Sequence, residues 1–119
     1  MDPVAAGKVL RMEPRSEGKH RIVRLSGQLT ETECSEFMEA MKRELSGGAP
    51  RVILDLDDLV YISSAGLGAL VSVHQSFMDA RSRLILAGTN PKVRKLLTLT
   101  SLDKLIQSTD SVEEALALP

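Results

Sequence analysis

The sequence predicts an α/β domain in which a small mixed sheet of four or five strands is flanked by about four helices. Short runs of Val, Ile and Leu alternate with longer segments whose apolar residues recur at helical spacing. Residues 51–87 follow the order strand, helix, strand, which is typical of a βαβ unit with two parallel strands. The chain has 119 residues, 43% of them hydrophobic, as expected for one domain with its own core.

Apolar runs and turn residues predict the strands and the order in which they pair. Turn-forming residues at 14–18 separate the first two strands and predict an antiparallel hairpin. The third strand is nearly all Val, Ile and Leu, so we expect it to be buried on both faces. The short N-terminal stretch 1–7 is expected to be flexible, leaving 8–119 as the domain. The predicted strands are residues 8–13, 20–26, 51–56, 83–87 and a short edge strand at Leu105-Ile106.

Capping residues predict where four helices begin. The first helix has a capping box of Thr30 with Glu33, an apolar stripe and a stop at 46–48. The second begins at Ser63 and runs to about residue 81, and the third begins at Asn90-Pro91. Asp110 with Glu113 predicts the start of the last helix. The stripe of the first helix consists of Cys34, Phe37, Met38, Met41 and Leu45.

Composition excludes several classes of partner. The net charge is −1, from 15 basic and 16 acidic residues, so there is no basic field for nucleic acid or an anionic membrane. The single cysteine, Cys34, excludes an intramolecular disulfide and fits a reducing compartment, and its place on an apolar stripe indicates a core residue. No apolar run is long enough for membrane insertion. We expect a soluble cytoplasmic protein, and the sequence leaves a homodimer open.

The sequence offers little for catalysis. No phosphate-binding or dinucleotide fingerprint occurs, and His20, His74 and Cys34 fall on three separate elements. His74 lies on an apolar stripe, which is typical of a satisfied, semi-buried imidazole. The acidic cluster at 55–58 could hold Mg²⁺ in principle, although a solvated strand exit is the more common reason for such residues. We therefore expect no enzyme, no cofactor and no metal. A small ligand or nucleotide at the strand ends is an alternative that follows from the general α/β rule.

Residues 62–68 (Ile-Ser-Ser-Ala-Gly-Leu-Gly) form the most informative stretch, at a strand-to-helix junction. Ser63 is the expected helix cap, and Ser64 falls in the first turn, where backbone N–H groups are unpaired. Gly66 and Gly68 are each about 1 kcal/mol less favourable than Ala inside a helix. Either close packing against the sheet or close approach by another protein could offset that cost.

A helical projection of residues 64–80 separates two faces. The first face is apolar and is expected to be buried, whereas the second is small and polar and suits a flat partner surface. The apolar face comprises Leu67, Leu70, Val71, Val73, Phe77 and Met78, and the polar face comprises Gly68, Ser72, Gln75, Ser76 and Asp79.

The segment Asp55–Gly68, DLDDLVYISSAGLG, resembles the signature of STAS domains, the fold of bacterial anti-sigma factor antagonists. Residues 25–29 resemble the strand-end segment of that family, and residues 90–97 with Leu102, Leu105 and Ile106 resemble its C-terminal pattern. The resemblance covers about residues 8–117. It implies a small mixed sheet flanked by helices and no catalytic activity.

The resemblance also implies a function. Such an antagonist binds a kinase-type anti-sigma factor and so frees a sigma factor; the kinase phosphorylates a serine at the helix start, and a phosphatase removes the phosphate. Carried over to this sequence, the phosphorylated position is Ser64. The partner-binding residues would be Ser63, Ser64, Gly66 and Gly68, with Gly27, Gln28 and Thr30 at the edge.

Three positions depart from the family pattern. Ser63 stands where an acidic residue is usual, Ala65 where Ser or Thr is usual, and Thr30 where an acidic residue is common. The departures at Ser63 and Ala65 motivate a second hypothesis, a non-phosphorylated scaffold or subunit. Such a subunit would belong to a stress-signalling assembly or to a lipid- or anion-transport complex.

Overall fold

The computed structural model describes residues 9–119. A 3₁₀ turn, Glu31–Glu33, precedes the first helix. The strands are β1 (Leu10–Glu17), β2 (His20–Leu29), β3 (Arg51–Ile62), β4 (Arg83–Thr89) and β5 (Ser108–Thr109). The helices are α1 (Cys34–Ser46), α2 (Ser64–Asp79), α3 (Pro91–Leu99), α4 (Leu102–Leu105) and α5 (Val112–Ala117). The predicted flexible stretch 1–7 lies outside the described residues.

The strands form one mixed five-stranded sheet in the order β1-β2-β3-β4-β5. β1 is antiparallel to β2, and every other neighbouring pair is parallel. The predicted α/β class, the hairpin and the parallel pairing of β3 with β4 are therefore confirmed.

The core has two parts because β3 is buried on both faces, as its sequence predicts. Val52, Leu54 and Leu56 face the larger cluster, which also includes residues of α1, α2 and α3. Ile53 faces a smaller cluster on the other side. That cluster consists of Ile22, Ile53, Ile85, Ala87, Val112 and Ala115, so α5 covers the second face.

Four strands are longer than predicted, and of these β4 continues from the predicted end at residue 87 to Thr89. β1 continues to Glu17, so 14–17 are strand rather than turn, and the turn lies at Gly18-Lys19. Pro14 fits because β1 is an edge strand, where a residue without an N–H is tolerated. β2 continues to Leu29 and β3 to Ile62, because the two strands keep pairing beyond register shifts at 24/26 and 27/28.

Four predictions were wrong in detail. Met38, on the predicted apolar stripe of α1, is 40% exposed. The edge strand lies at Ser108–Thr109, not at Leu105-Ile106, where a short helix ends. The last helix is capped by Ser111, whose hydroxyl accepts a hydrogen bond from the N–H of Glu114, not by Asp110. In α2, Phe77 takes the buried position in the last turn, and Met78, about 100° further round the helix, is exposed.

No helix within residues 9–119 is long and apolar enough to cross a membrane.

Candidate partner-binding site at the start of helix α2

The ends of β2 and β3 hold the start of α2 in place. Leu29 and Ile62 are the last paired residues of these two strands. The main-chain N–H of Ser63 donates to the Leu29 carbonyl oxygen at 3.0 Å. The helix therefore begins at the carboxyl edge of the parallel strands, where α/β sheets usually form their binding sites.

Ser63 is the cap of α2, as predicted. Its hydroxyl oxygen accepts a hydrogen bond from the N–H of Gly66 at 3.1 Å, and its carbonyl oxygen accepts one from Leu67 at 2.9 Å. The next residue, Ser64, is exposed, and its hydroxyl forms no hydrogen bond with any residue of the described part of the chain. The two hydroxyls are thus different: Ser63 is engaged by the helix and Ser64 is available to solvent or a partner.

The two glycines of the junction also have different roles. Gly66 is buried, and a Cβ there would overlap the Leu29 carbonyl oxygen and lie 2.8 Å from Cγ1 of Ile62. Gly66 therefore permits close packing of α2 on the sheet and is not on the surface. Gly68 is exposed, and apart from its chain neighbours and the nearby backbone of α2, a Cβ there would meet no atom of residues 9–119 within 4 Å. No contact among these residues explains a glycine at position 68.

Gly27, Gln28 and Thr30 lie beside the junction, at the end of β2. Gly27 has φ of +95°, and a Cβ there would overlap the Val9 carbonyl oxygen, so the backbone requires glycine. Gln28 is exposed and Thr30 is half-buried. The Glu33 carboxylate accepts from the N–H of Thr30 at 3.0 Å and from its hydroxyl at 2.6 Å. This is the reciprocal part of the predicted capping box.

Residues 11–115 match the model of the STAS domain. The chain belongs to the STAS domain family. The predicted fold and the resemblance of the motif at 55–68 are therefore confirmed.

Relatives of this STAS domain carry names from sigma-factor regulation. The chain is 22% identical over 104 residues to the anti-sigma-B factor antagonist of Staphylococcus aureus, covering 87% of this chain and 96% of that protein. It is 32% and 31% identical over 72 residues to proteins of Thermotoga maritima and Thermotoga neapolitana. In these two matches the aligned part spans 64% of each relative's length.

Solved structures share the fold. An anti-sigma factor antagonist from Mycobacterium paratuberculosis superposes with a TM-score of 0.82 at 19% identity, covering 90% of this chain and 91% of that one. The phosphorylated form of the Bacillus cell fate determinant SpoIIAA superposes with a TM-score of 0.65 at 20% identity, covering 90% and 96%.

Two exposed apolar side chains next to the junction were not predicted. Val60 is 55% exposed and Tyr61 is 41% exposed, both at the end of β3. They were missed because β3 was predicted to end at residue 56. In the STAS domain the strand continues to Ile62 and presents this pair just before the buried Ile62 and the cap Ser63. Together, Val60, Tyr61, Ser64 and Gly68 are the exposed residues that we call the junction surface.

The acidic residues at 55–58 lie within β3 rather than at a solvated strand exit. Asp55 accepts a hydrogen bond from the N–H of Asp57 at 3.2 Å, and Asp58 forms an ion pair with Arg24. Burial raises the pKa of Asp55; the hydrogen bond from the Asp57 N–H opposes this increase, and the charges of Asp57 and Asp58 add to it. Within residues 9–119, no three His, Cys, Asp or Glu side chains are close enough together to hold a metal ion.

Cys34 and His74 belong to the interior. The Cys34 thiol is half-buried and donates to the Thr30 carbonyl oxygen at 3.2 Å. Burial raises the pKa of this thiol, and Glu33 and Glu31 raise it further, so the thiolate is disfavoured. His74 is buried as expected, but the prediction of a satisfied imidazole was wrong for Nδ1, which has no hydrogen-bond partner among the described residues.

The polar face of α2 is not uniformly flat. Ser72 and Ser76 border a groove of about 330 Å³ between α1 and α2. The apolar residues that line this groove are Met38, Met41, Leu45, Val73 and Phe77. The surface beyond Gly68 therefore has a depression where the helical projection predicted a plane.

Proposed function

We propose that this STAS domain is an anti-sigma factor antagonist. It would bind a kinase-type anti-sigma factor through the junction surface, with Gln28 and Thr30 at the edge, and so release a sigma factor. Phosphorylation of Ser64 would weaken that binding, and a phosphatase would restore it. The name of the Staphylococcus aureus relative supports the antagonist role, and the phosphorylated SpoIIAA structure shows that a protein of this fold carries phosphate.

The exposed glycine Gly68 is the observation that carries this proposal. A glycine inside a helix costs about 1 kcal/mol relative to alanine. Since a Cβ at position 68 would meet no atom of residues 9–119 outside its own stretch of α2, packing against the rest of the domain does not account for that cost. A partner that lies directly against the helix backbone does account for it. Ser64 is one turn away on the same face, so the same partner would cover its hydroxyl.

The position of Ser64 suits a switch that acts on binding rather than on folding. A phosphate adds about −1.5 to −2 charge and three acceptor oxygens. In the free protein the helix dipole favours this charge by only about 0.3–1 kcal/mol, and no carboxylate adjoins it in sequence. Within an interface fitted to a neutral hydroxyl, an uncompensated charge costs several kcal/mol. Since about 1.4 kcal/mol is a tenfold change in affinity, partial burial of Ser64 is sufficient.

The first experiment tests both steps. The protein is incubated with ATP and the anti-sigma kinase of the same organism, and the modified residue is identified by mass spectrometry. Calorimetry then measures binding of the kinase to wild type, Ser64→Asp and Ser64→Ala. We expect phosphate on Ser64, at least about tenfold weaker binding for Ser64→Asp, and near wild-type binding for Ser64→Ala.

Ser108→Asp is the matched control, because it adds the same charge at an exposed site on the short edge strand β5. It should bind like wild type. If Ser64 carries no phosphate and Ser64→Asp also binds like wild type, the switch is refuted. A native pull-down that recovered only membrane transport proteins would instead favour the scaffold hypothesis.

A further inference from the structure

The end of the sheet opposite the junction surface is rich in basic residues. β2, β3 and β4 begin with His20-Arg21, Arg51 and Arg83 respectively. At about 3.3 Å per residue, the 12 residues of β3 place this end roughly 36 Å from Ser64. A function located here is therefore independent of the function proposed for the junction surface.

A pocket of about 400 Å³ lies at this end, between the β1–β2 turn and the loop that joins α1 to β3. Its volume is near the lower limit for small-molecule sites, about 300–1,000 Å³. The lining includes the basic side chains of Lys19, His20, Arg21 and Arg43, together with Gly18, Gly47 and Gly48.

The negative groups around the pocket are already engaged. Glu44 is its one acidic lining residue, and its carboxylate accepts from Arg21 Nε at 2.8 Å and Nη2 at 3.2 Å. The carbonyl oxygens of the last turn of α1 accept from the N–H groups of Gly47 and Gly48. By contrast, the side chains of Lys19 and Arg43 are exposed and form no ion pair with any of residues 9–119.

The charges that act on His20, which lines the pocket, show that the electrostatic potential there is positive. Its pKa is lowered, first by burial and then by the positive charges of Arg51, Lys19 and Arg83. No acidic group is among the charges that act on it. An anion entering the pocket would therefore meet a positive potential.

We propose that this pocket binds the phosphate group of a small phosphomonoester. Lys19 and Arg43 would supply charge-assisted hydrogen bonds to the phosphate oxygens, as Lys and Arg commonly do. The pocket is larger than a single ion requires, which leaves room for the group that the ester carries. The three glycines that line it allow a ligand to approach the backbone closely.

The two histidines of the chain provide the readout. NMR titration of the imidazole protons is carried out on the full chain in chloride, in inorganic phosphate and in glycerol 3-phosphate, at equal ionic strength. A bound anion favours the charged imidazole, so the pKa of His20 should rise in both phosphate arms. His74 lies on α2 and is the internal control, so its resonance should not respond to phosphate.

Two variants identify the pocket as the site. Arg43→Ala should weaken the affinity for glycerol 3-phosphate at least about tenfold, and Arg43 is not among the charges that set the pKa of free His20. Lys92→Ala, an exposed cation on α3, is the matched control and should bind like wild type. Binding of glycerol 3-phosphate more tightly than inorganic phosphate supports the ester as the ligand, and equal binding of the two refutes it. The proposal is overturned if the pKa of His20 is the same in chloride as in the two phosphate solutions. It is also overturned if phosphate raises this pKa as much in Arg43→Ala as in wild type.

Discussion

The two ends of the sheet differ in how they use side chains. At the carboxyl edge, main-chain groups and the Ser63 hydroxyl hold the junction. The residues of the junction surface are small or apolar: Ser64, Gly68, Val60 and Tyr61. At the amino edge, long basic side chains do this work. Arg51 is only 5% exposed, and its guanidinium donates to four main-chain oxygens of residues 115–119 at 2.8–3.2 Å. One edge thus exposes small or apolar residues that the domain itself leaves uncovered, whereas the other fixes the last helix to the sheet.

Of the pairs of substitutions proposed below, those of the two glycines at the junction should differ most in their effect on the free energy of unfolding. Gly66→Ala places a methyl group into the Leu29 carbonyl oxygen, which is main chain and cannot move aside, so we expect a loss of about 3 kcal/mol in the free energy of unfolding. Gly68→Ala meets open space and should gain up to about 1 kcal/mol. Urea denaturation measures both. Equal effects of the two substitutions would contradict the separate roles assigned to these glycines.

The next largest loss of stability is expected at the amino edge, the end of the sheet at which β2, β3 and β4 begin. Arg51→Met removes a buried guanidinium and leaves several carbonyl oxygens at the end of α5 without a donor, so we expect a loss of about 2 kcal/mol. Arg83→Met is the matched control, because Arg83 is less buried and reaches only Pro119 and Gln107. It should lose less than about 1 kcal/mol. Thermal denaturation measures the stability of the two variants, and hydrogen exchange measures the protection of the α5 amides. Both should decrease more in Arg51→Met than in Arg83→Met.

A smaller effect is expected from the two serines of the junction. Ser63→Ala removes the cap on Gly66 and should cost about 1 kcal/mol. Ser64→Ala removes a hydroxyl that forms no hydrogen bond with the described residues and should change stability by less than about 0.5 kcal/mol. Binding of the partner should show the opposite order: a charge at Ser64 should weaken binding more than Ser63→Ala does. If Ser64→Ala destabilised the domain as much as Ser63→Ala, Ser64 would be a structural residue.

The sequence predicted the junction better than it predicted the surface around it. The caps at Ser63 and Asn90 follow from local chemistry and were correct, because a cap involves residues only three positions apart. The distinction between Gly66 and Gly68 required the position of Leu29, which belongs to another strand. The exposure of Val60 and Tyr61 was missed for a related reason. Asp57 and Asp58 suggested a strand exit, but pairing with β2 extends β3 past them.

The smallest changes in stability are expected from two titrating groups, His20 and Asp55. As the pH changes, their contributions to stability change in opposite directions. Burial and nearby cations lower the pKa of His20 below its ordinary 6.5, so the unfolded chain binds more protons as the pH falls through 6.5. Stability is therefore lost towards acid pH. Burial raises the pKa of Asp55 above its ordinary 3.8, so the folded chain retains the proton longer. Stability is therefore lost as the pH rises through the window above 3.8.

Two variants separate these contributions. His20→Gln should become more stable relative to wild type as the pH falls below 6.5, whereas Asp55→Asn should become more stable relative to wild type as the pH rises above 3.8. Asn at position 55 retains an oxygen that can accept the N–H of Asp57, so the local backbone contact survives. Urea denaturation at a series of pH values measures both differences, and parallel curves for a variant and wild type would contradict the assignment for that residue. Glycerol 3-phosphate should reduce the loss of stability that His20 causes at acid pH, because His20 lines the basic pocket. It should leave unchanged the loss that Asp55 causes as the pH rises, because Asp55 does not line the pocket.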